Sequence, residues 1–160
     1  MSTATADYRQ PRSWLILAAF LVIVLGVGFW IGQLSAPGEW YENLEKPFFN
    51  PPSWLFGPVW SALYVLIAIA GWRIWMADRG STAMKFWFAQ MLLNWIWSPV
   101  WFIAHMPWLA FAIIVALLAA IIGFIATARR HDKLAVWLFA PYLAWVAFAS
   151  ALNLSIAIMN

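Results

Sequence analysis

Aromatic and amide side chains recur at helical spacing in three apolar stretches of this sequence. The three faces are Trp60, Tyr64, Ile67 and Gly71; Gln90, Asn94, Trp97 and Trp101; and Tyr142, Trp145, Ala149 and Asn153. Indole and phenol rings supply flat walls, carboxamides can bond a polar edge, and a small residue leaves room between rings. The pattern predicts a pocket for a large, flat, mostly apolar molecule with polar edges, such as a porphyrin, a drug-like aromatic or a sterol.

The same faces also have a purely structural interpretation, which the spacing leaves open. Aromatic stripes commonly form helix cores, and Ala149 could be a contact between helices. Gln90 and Asn94 could each bond a neighbouring helix, an interaction worth about 0.6 kcal/mol on average within a membrane. Packing rings together in lipid brings no hydrophobic gain, however, which favours the ligand-binding interpretation.

The groups needed for covalent, acid–base or metal chemistry are scarce. The chain has no Cys and two His, so disulfides, thiolate metal sites and Cys nucleophiles are excluded. No nucleophile–base pair, phosphate-binding loop or metal-ligand cluster is recognisable, and a haem held by axial histidine is not supported. We predict a binding protein that requires no metal and no cofactor, and that is not an enzyme unless a bound chromophore supplies the chemistry.

The composition is typical of a membrane protein. Hydrophobic residues make up 66% of the 160 residues and charged residues only 9%, whereas soluble domains carry about 25% charged residues. The net charge of +3 could suggest nucleic acid, but no basic run is longer than Arg129-Arg130. We therefore expect membrane lipid as a partner and no nucleic acid.

Charged residues divide the chain into four uncharged windows, at 13–38, 47–72, 86–128 and 134–160. A spanning helix needs about 20 apolar residues, so three of these windows hold one helix each. The window 86–128 would form a helix of about 65 Å, twice the thickness of a hydrocarbon core, and must turn at His105-Met106-Pro107. The predicted fold class is an all-α integral membrane protein, a single domain with a bundle of five transmembrane helices at about 14–34, 53–77, 82–104, 107–128 and 134–158.

Positive charges predict how the bundle is oriented. Eight of the nine Lys and Arg residues, Arg9 and Arg12 among them, lie in the N-terminal tail or around the second and fourth connections. By the positive-inside rule the N-terminus is cytoplasmic and the C-terminus faces outside. This arrangement separates His105 from His131, so they cannot hold one metal, and the absence of charge within the spans argues against a proton relay.

The first connection, about residues 35–52, differs from an ordinary polar loop. Together with the residue that begins the next span it is rich in aromatic rings and in prolines that stiffen the backbone. These residues are Trp40, Tyr41, Phe48, Phe49, Trp54, Pro47, Pro51 and Pro52. An interfacial aromatic belt explains any single ring, whereas the stiffened set predicts a lid over a cavity between helices.

Three sequence blocks resemble one known family. They read Trp40-Tyr41-x-x-Leu44-x-Lys46-Pro47-x-x-x-Pro51-Pro52-x-Trp54, followed by Gly57-Pro58-Val59-Trp60-x-x-Leu63-Tyr64; Gln90-x-x-x-Asn94-x-x-Trp97-x-Pro99-x-x-Phe102; and Pro141-Tyr142-Leu143-Ala144-Trp145-x-Ala147-x-Ala149-x-x-Leu152-Asn153. Spread over most of residues 38–155, they resemble the TspO family. These are the tryptophan-rich sensory proteins of bacteria, related to the mitochondrial translocator protein, also called the peripheral benzodiazepine receptor.

The resemblance implies binding of tetrapyrroles such as protoporphyrin IX and of benzodiazepine-type ligands, a bacterial cell membrane, inner or outer, and a homodimer. Carried over by position, the ligand-binding residues would be Trp60, Asn94, Trp97, Trp108, Trp145, Ala149 and Leu152, with Trp40 and Pro47 in the lid. Tyr64, Trp101 and Tyr142 join this set by their spacing on the three faces. Cholesterol, which mammalian members bind, is not expected here, because Leu152-Asn153 is followed by Leu154 and not by the Tyr and Arg of the sterol-recognition stretch.

The function predicted is a receptor or sensor that regulates porphyrin level or export, and two alternatives stay open. A transporter of the same ligands is one, although the chain shows no internal repeat. Light-dependent porphyrin degradation is the other, since Trp60 and Trp145 match two tryptophans implicated in such chemistry in the family. Candidate small-residue pairs for a helix seam are Gly28/Gly32, Ala116/Ala120 and Ala119/Gly123.

Overall fold

The computed structural model describes Tyr8 and residues 10–160, and this part of the chain contains helices and connections but no β-strand. Its helices are α1 Pro11–Leu34, α2 Glu39–Asn43, α3 Ser53–Asp78, α4 Thr82–Phe102, α5 Pro107–Ala128 and α6 Lys133–Met159. The all-α prediction is confirmed over the described residues. Arg9, one of the positive charges used to predict the orientation, lies outside them.

Four helices, α1, α3, α5 and α6, are long and apolar enough to cross a membrane. The chain is therefore an integral membrane protein, as its composition predicts. Helix α4 has 21 residues but includes Lys85, Gln90 and Asn94, which lower its mean hydropathy. Gln90 and Asn94 are buried, with 0% and 5% of their surface exposed, so these two amides face other helices, whereas Lys85 is exposed near the start of α4.

Helix α4 ends at Phe102, two residues earlier than the sequence suggests. The backbone N–H groups of Ile103 and Ala104 both donate to the Pro99 carbonyl, at 2.9 Å each, which closes the last turn. His105 then adopts a φ of 55°, in the left-handed region that few non-glycine residues occupy. This conformation reverses the chain between α4 and α5.

The five long helices form a ring in the order α1, α3, α6, α5 and α4, which closes where α4 meets α1. The contact between α1 and α4 is thinner than the contact between α1 and α3. We call the end that carries residues 35–52 and the α4–α5 connection the lid end. The opposite end, with the α3–α4 and α5–α6 connections, is called the charged end.

Side chains fill the half of the bundle next to the charged end. A Cβ at Gly71 would collide with the rings of Trp87 and Phe20, so α3 approaches its neighbours closely there. Phe124 of α5 and Phe139 of α6 stack with ring centroids 3.9 Å apart, and neither is exposed. The open space in the bundle consequently lies in the half next to the lid end.

An ion pair joins α3 to the α5–α6 connection at the charged end. Arg73 donates to Asp132 Oδ2 from Nη2 at 2.7 Å and from Nε at 2.8 Å. Tyr8 donates from its hydroxyl to the same oxygen at 3.3 Å. The Arg73 guanidinium lies over the Tyr8 ring, with its Cζ 4.8 Å from the ring centroid. Burial raises the pKa of Asp132, but hydrogen bonds from Arg73 and from the Ala135 N–H outweigh it and leave the pKa below its ordinary value.

Replacing Asp132 with asparagine is expected to lower the free energy of unfolding by about 1–3 kcal/mol at neutral pH, because asparagine still caps α6 but leaves Arg73 unpaired. The pKa of Asp132 is depressed in the fold, so its contribution is complete above the ordinary carboxyl value of 3.8. That contribution disappears as the pH falls through the folded-state value. Thermal unfolding in detergent should therefore separate wild type and variant at pH 7 and bring them together in acid. Asp78→Asn, an exposed site on α3, is the control and should match wild type at both pH values.

Candidate functional site

A cavity of about 600 Å³ lies at the lid end, between α1, α3, α4 and α6. The connection after α1 closes it on one side, through Ser35, Ala36 and Pro37, together with Tyr41 of α2. Helix α5 contributes no residue to its lining. The cavity volume is within the range of about 300–1,000 Å³ that is usual for small-molecule sites.

Eight of the predicted ligand-binding residues line this cavity. They are Trp60 and Tyr64 of α3, Asn94, Trp97 and Trp101 of α4, and Trp145, Ala149 and Leu152 of α6. The lid-end residues of the three faces recognised in the sequence therefore turn toward one space. They present indole rings from three helices around it.

The other four predicted residues lie elsewhere. Tyr142 is fully buried beside the cavity wall, and Trp40 and Pro47 belong to the lid without lining the cavity. Trp108 stands at the start of α5 with 59% of its surface exposed. Since α5 packs behind α4 and α6, Trp108 is separated from the rest of the set.

Helix α1 forms a wall that the sequence analysis did not assign to the site. Leu25, Gly28, Phe29 and Gly32 follow the spacing i, i+3, i+4 and i+7 and all line the cavity. The spacing was visible in the sequence, but these four residues are apolar or glycine, and the one amide of this wall, Gln33, follows at i+8. The two glycines suggested a seam between helices.

A chain of hydrogen bonds fixes the floor of the cavity. Tyr64 donates from its hydroxyl to Asn94 Oδ1 at 3.0 Å, and Asn94 Nδ2 donates to the Tyr142 oxygen at 2.9 Å. Tyr142 in turn donates to Gln90 Oε1 at 2.9 Å. Both amides thus bond neighbouring helices, as the structural interpretation proposed, and Asn94 lines the cavity as well.

A second hydrogen-bonded chain orients the Trp97 ring. Its indole N–H donates to Asn153 Oδ1 at 3.1 Å, and Asn153 Nδ2 donates to the Pro107 carbonyl at 3.1 Å. The chain therefore ties α4 to α6 and α6 to the first residue of α5. Trp97 is consequently held with one ring face parallel to Trp101, whose centroid is 6.0 Å away at an interplanar angle of 11°.

Trp145 forms a wall shared by two spaces. It lines the cavity on one side and, on the other, an open apolar groove of about 490 Å³ between α3 and α6 that also includes Leu55 and Phe148. Its indole N–H is buried and has no acceptor among the described residues. A buried donor without a partner carries a free-energy cost, which a hydrogen bond to it would offset.

Contacts at two places fasten the lid to the bundle, and a third contact lies within the lid. Trp40 stacks on His105 with centroids 4.3 Å apart and an interplanar angle of 15°. The Asn160 side chain accepts from the Glu45 N–H at 3.0 Å and donates to the Glu45 carbonyl at 3.1 Å. Within the lid, Tyr41 donates to Asn50 Oδ1 at 3.1 Å. Residues 35–52 are thus held against this end of the bundle, and their role as a lid stays a prediction.

Gly28 is the closest approach of α1 to α3 and gives a test of the cavity wall. A Cβ at Gly28 would collide with the Tyr64 ring, whereas one at Gly32 meets no atom. We expect Gly28→Ala to destabilise the protein by about 1–3 kcal/mol in thermal unfolding, because the Tyr64 hydroxyl must leave Asn94. Gly32→Ala should be neutral or stabilising, since alanine favours a helix over glycine by about 0.5–1 kcal/mol. Equal unfolding temperatures for the two variants would contradict this packing.

Metal ligands are not gathered at the cavity. The described residues contain no cluster of three His, Asp or Glu side chains. His105, in the α4–α5 connection, and His131, in the α5–α6 connection, are both exposed and lie at opposite ends of the bundle.

Comparison with known proteins gives consistent matches along the chain. The model of the TspO/MBR family matches residues 18–159. The tryptophan-rich protein TspO of Archaeoglobus fulgidus is 39% identical over 150 residues, 91% of this chain and 97% of that protein. The tryptophan-rich sensory protein of Cereibacter sphaeroides is 33% identical over 92% of both chains, and the human translocator protein is 32% identical over 79% of this chain and 80% of its own.

Proposed function

The chain belongs to the TspO/MBR family, and from this premise we propose that it is a membrane receptor or sensor that binds a tetrapyrrole such as protoporphyrin IX in the lid-end cavity. Benzodiazepine-type aromatic molecules are further ligands of this site. Binding would regulate the level or export of the porphyrin in a bacterial cell membrane. The convergence of Trp60, Trp97 and Trp145 on one cavity is the observation that carries the proposal.

The chemistry of the walls supports a flat aromatic ligand. Indole rings from α3, α4 and α6 offer faces for stacking, and Ala149 leaves space between them. Polar groups are a minority of the lining: the amides of Asn94 and Asn153 are already engaged, the Trp145 N–H has no partner, and Gln33 of α1 adds a further amide. A ligand with a wide apolar face and a small number of polar edge groups fits such a lining.

Transport is less well supported than sensing. Alternating access requires a route at the charged end, yet that half is filled by rings and closed by the Arg73–Asp132 ion pair. Light-dependent degradation has one observation in its favour, because Trp60 and Trp145 both line the cavity and would flank a bound chromophore. Loss of porphyrin absorbance under light, abolished in Trp60→Phe or Trp145→Phe, would support that activity.

We further propose that α4 is the fifth span, with the N-terminus cytoplasmic and the C-terminus outside. The buried positions of Gln90 and Asn94 remove the cost of exposing amides to lipid. The absence of Cys permits a direct test by single-cysteine labelling in intact cells. Cysteines at Glu45 and Ala104 should react with an impermeant maleimide from outside, and cysteines at Arg79 and Arg130 only after permeabilisation. External labelling at Glu45 and Arg130 but not at Ala104 would contradict a crossing by α4.

For the homodimer we propose a seam on α4. Gly28 and Gly123 each contact a ring of their own chain, Tyr64 and Phe86 respectively, and Ala120 is buried. In each small-residue pair named from the sequence, one residue is therefore already packed against side chains of its own chain and is not exposed to a second copy. The exposed apolar face of α4 comprises Phe88, Leu92 and Ile96.

Quenching of intrinsic tryptophan fluorescence by protoporphyrin IX tests the binding proposal. Purified protein in detergent should show saturable quenching, and Trp145→Ala should weaken the apparent affinity because it removes a cavity wall. Trp137→Ala, on the same helix but 74% exposed, should bind like wild type. Unsaturable quenching, or equal affinity in all three proteins, would mean that the porphyrin only partitions into the micelle.

A further inference from the structure

We propose that Trp97, Trp101 and Trp40 form a path for single-electron transfer between the cavity and the surface of the lid. The inference rests on the proposed function, because a photoexcited ligand in the cavity supplies the oxidant. It assigns to these three rings a task that ligand binding alone does not require. The electron source is a soluble one-electron reductant outside the protein.

The three rings form an unbroken series of contacts. Trp97 lines the cavity and lies parallel to Trp101, with centroids 6.0 Å apart. Trp101 meets Trp40 edge to face at 5.9 Å, and Trp40 stacks on His105 at 4.3 Å. Trp101 is 2% exposed, whereas Trp40 is partly exposed and His105 is exposed. The series therefore starts at the cavity wall, crosses a buried ring and ends at the surface.

Indole suits this task because tryptophan is among the most easily oxidised side chains and exchanges electrons rapidly with a ring in contact. An indole that has lost one electron carries a positive charge, or hole, which can move to a neighbouring ring. If its N–H proton is lost to a base, the neutral radical that forms no longer has this charge to pass on. Trp97 donates that proton to the amide oxygen of Asn153, and a neutral amide is a very weak base. The positive hole on Trp97 therefore keeps its proton and remains free to move to Trp101.

Among the described residues, Trp60 and Trp145, which also line the cavity, are not connected to the surface by a comparable series of indole rings. Trp60 contacts the rings of Tyr64 and Tyr142, whose hydroxyls donate to amide oxygens. Trp145 contacts only phenylalanine rings, Phe56 and Phe148, and phenylalanine is far harder to oxidise than indole. Oxidation of Trp60 or Trp145 would stay in the cavity, whereas oxidation of Trp97 can be relayed.

Electrons lost and electrons gained are equal over one cycle of this path. The excited ligand takes one electron from Trp97 and becomes a radical anion, and the hole moves through Trp101 to Trp40. A soluble reductant such as ascorbate returns one electron to Trp40, and the ligand passes its extra electron to dioxygen, which becomes superoxide. The protein and the ligand end unchanged, while the reductant has lost one electron and dioxygen has gained one.

Flash photolysis of the protein saturated with protoporphyrin IX, in aerated detergent solution, tests this path. The visible absorption of the indole radical is followed as ascorbate is added. Ascorbate should shorten the lifetime of the radical in wild type, and most of this effect should be lost in Trp40→Phe, where the radical still forms. Trp108→Phe is the matched control, because Trp108 is also exposed at the lid end but is not part of the series.

The outcomes separate this inference from the proposed function. An equal response to ascorbate in wild type and Trp40→Phe would overturn the path, since the reductant would then reach the cavity directly. Absence of an indole radical despite saturable binding would also overturn it and leave the binding proposal intact. Failure of saturable binding in the fluorescence titration would remove both. Trp101→Phe adds a second check, because the response of the radical to ascorbate should be lost when the middle ring, which joins Trp97 to Trp40, is replaced.

Discussion

Replacing Ala149 with leucine is expected to weaken the binding of protoporphyrin IX at least about tenfold, because the larger side chain occupies the gap between the aromatic walls. Ala149 lines the cavity beside Trp145 and Leu152 on α6. Crowding a well-packed site with extra methyl groups typically costs about 1–3 kcal/mol, and about 1.4 kcal/mol corresponds to a tenfold change in affinity. A titration that follows porphyrin absorbance or tryptophan quenching measures the effect.

The matched control is Ala147→Leu. Ala147 is also on α6 but is exposed on the outside of the bundle, so leucine there should change neither affinity nor stability. Both variants should unfold near the wild-type temperature, which separates loss of space in the cavity from loss of the fold. Unchanged affinity in Ala149→Leu would mean that the ligand does not occupy this part of the cavity.

Replacing Asn94 with leucine is expected to lower the free energy of unfolding by about 2–4 kcal/mol, because the Tyr64 hydroxyl loses its acceptor and the buried Tyr142 hydroxyl keeps only its bond to Gln90. Tyr64 would lose its acceptor, and Tyr142, which is fully buried, would lose its donor. The floor of the cavity would also lose its fixed geometry, so ligand affinity should fall along with the unfolding temperature. Thermal unfolding in detergent with and without protoporphyrin IX records both effects.

Ser98→Ala gives the comparison for this variant. Ser98 lines the cavity one turn further along α4 and makes no side-chain hydrogen bond to the described residues. We therefore expect a shift of a few tenths of a kcal/mol at most, as is usual for such substitutions. If Asn94→Leu were as stable as Ser98→Ala, the hydrogen-bonded floor would contribute little to the stability of the protein.

The helices could be predicted because charge and proline mark their ends along the chain. Asp132 caps α6, Pro107 begins α5, and the window 86–128 is too long for one span. The gathering of Trp60, Asn94 and Trp145 in one cavity also follows from helical spacing, because each lies on the inward face of its helix. Charge, proline and helical spacing therefore predict the helices and many of the residues that line the cavity.

Other features depend on contacts that spacing does not encode. Gly28 was considered for a seam between chains, yet it is needed where α1 approaches the Tyr64 ring. Trp108 resembles a family site position, but its direction depends on how α5 packs behind α4. From the sequence, the Asn94 amide could bond either a neighbouring helix or a ligand. The positions of Tyr64 on α3 and Tyr142 on α6 show that it bonds two neighbouring helices.

Photoaffinity labelling with a diazirine derivative of protoporphyrin IX tests most directly the claim that the lid-end cavity is the binding site. Labelled peptides are identified by mass spectrometry, with unlabelled protoporphyrin IX as competitor. We predict competable labels on the lid-end halves of α1, α3, α4 and α6, at residues 25–33, 53–64, 94–102 and 145–156, and none on α5, which contributes nothing to the cavity. Competable labelling of α5, or labelling confined to lipid-facing side chains such as Trp14 and Trp137, would contradict it.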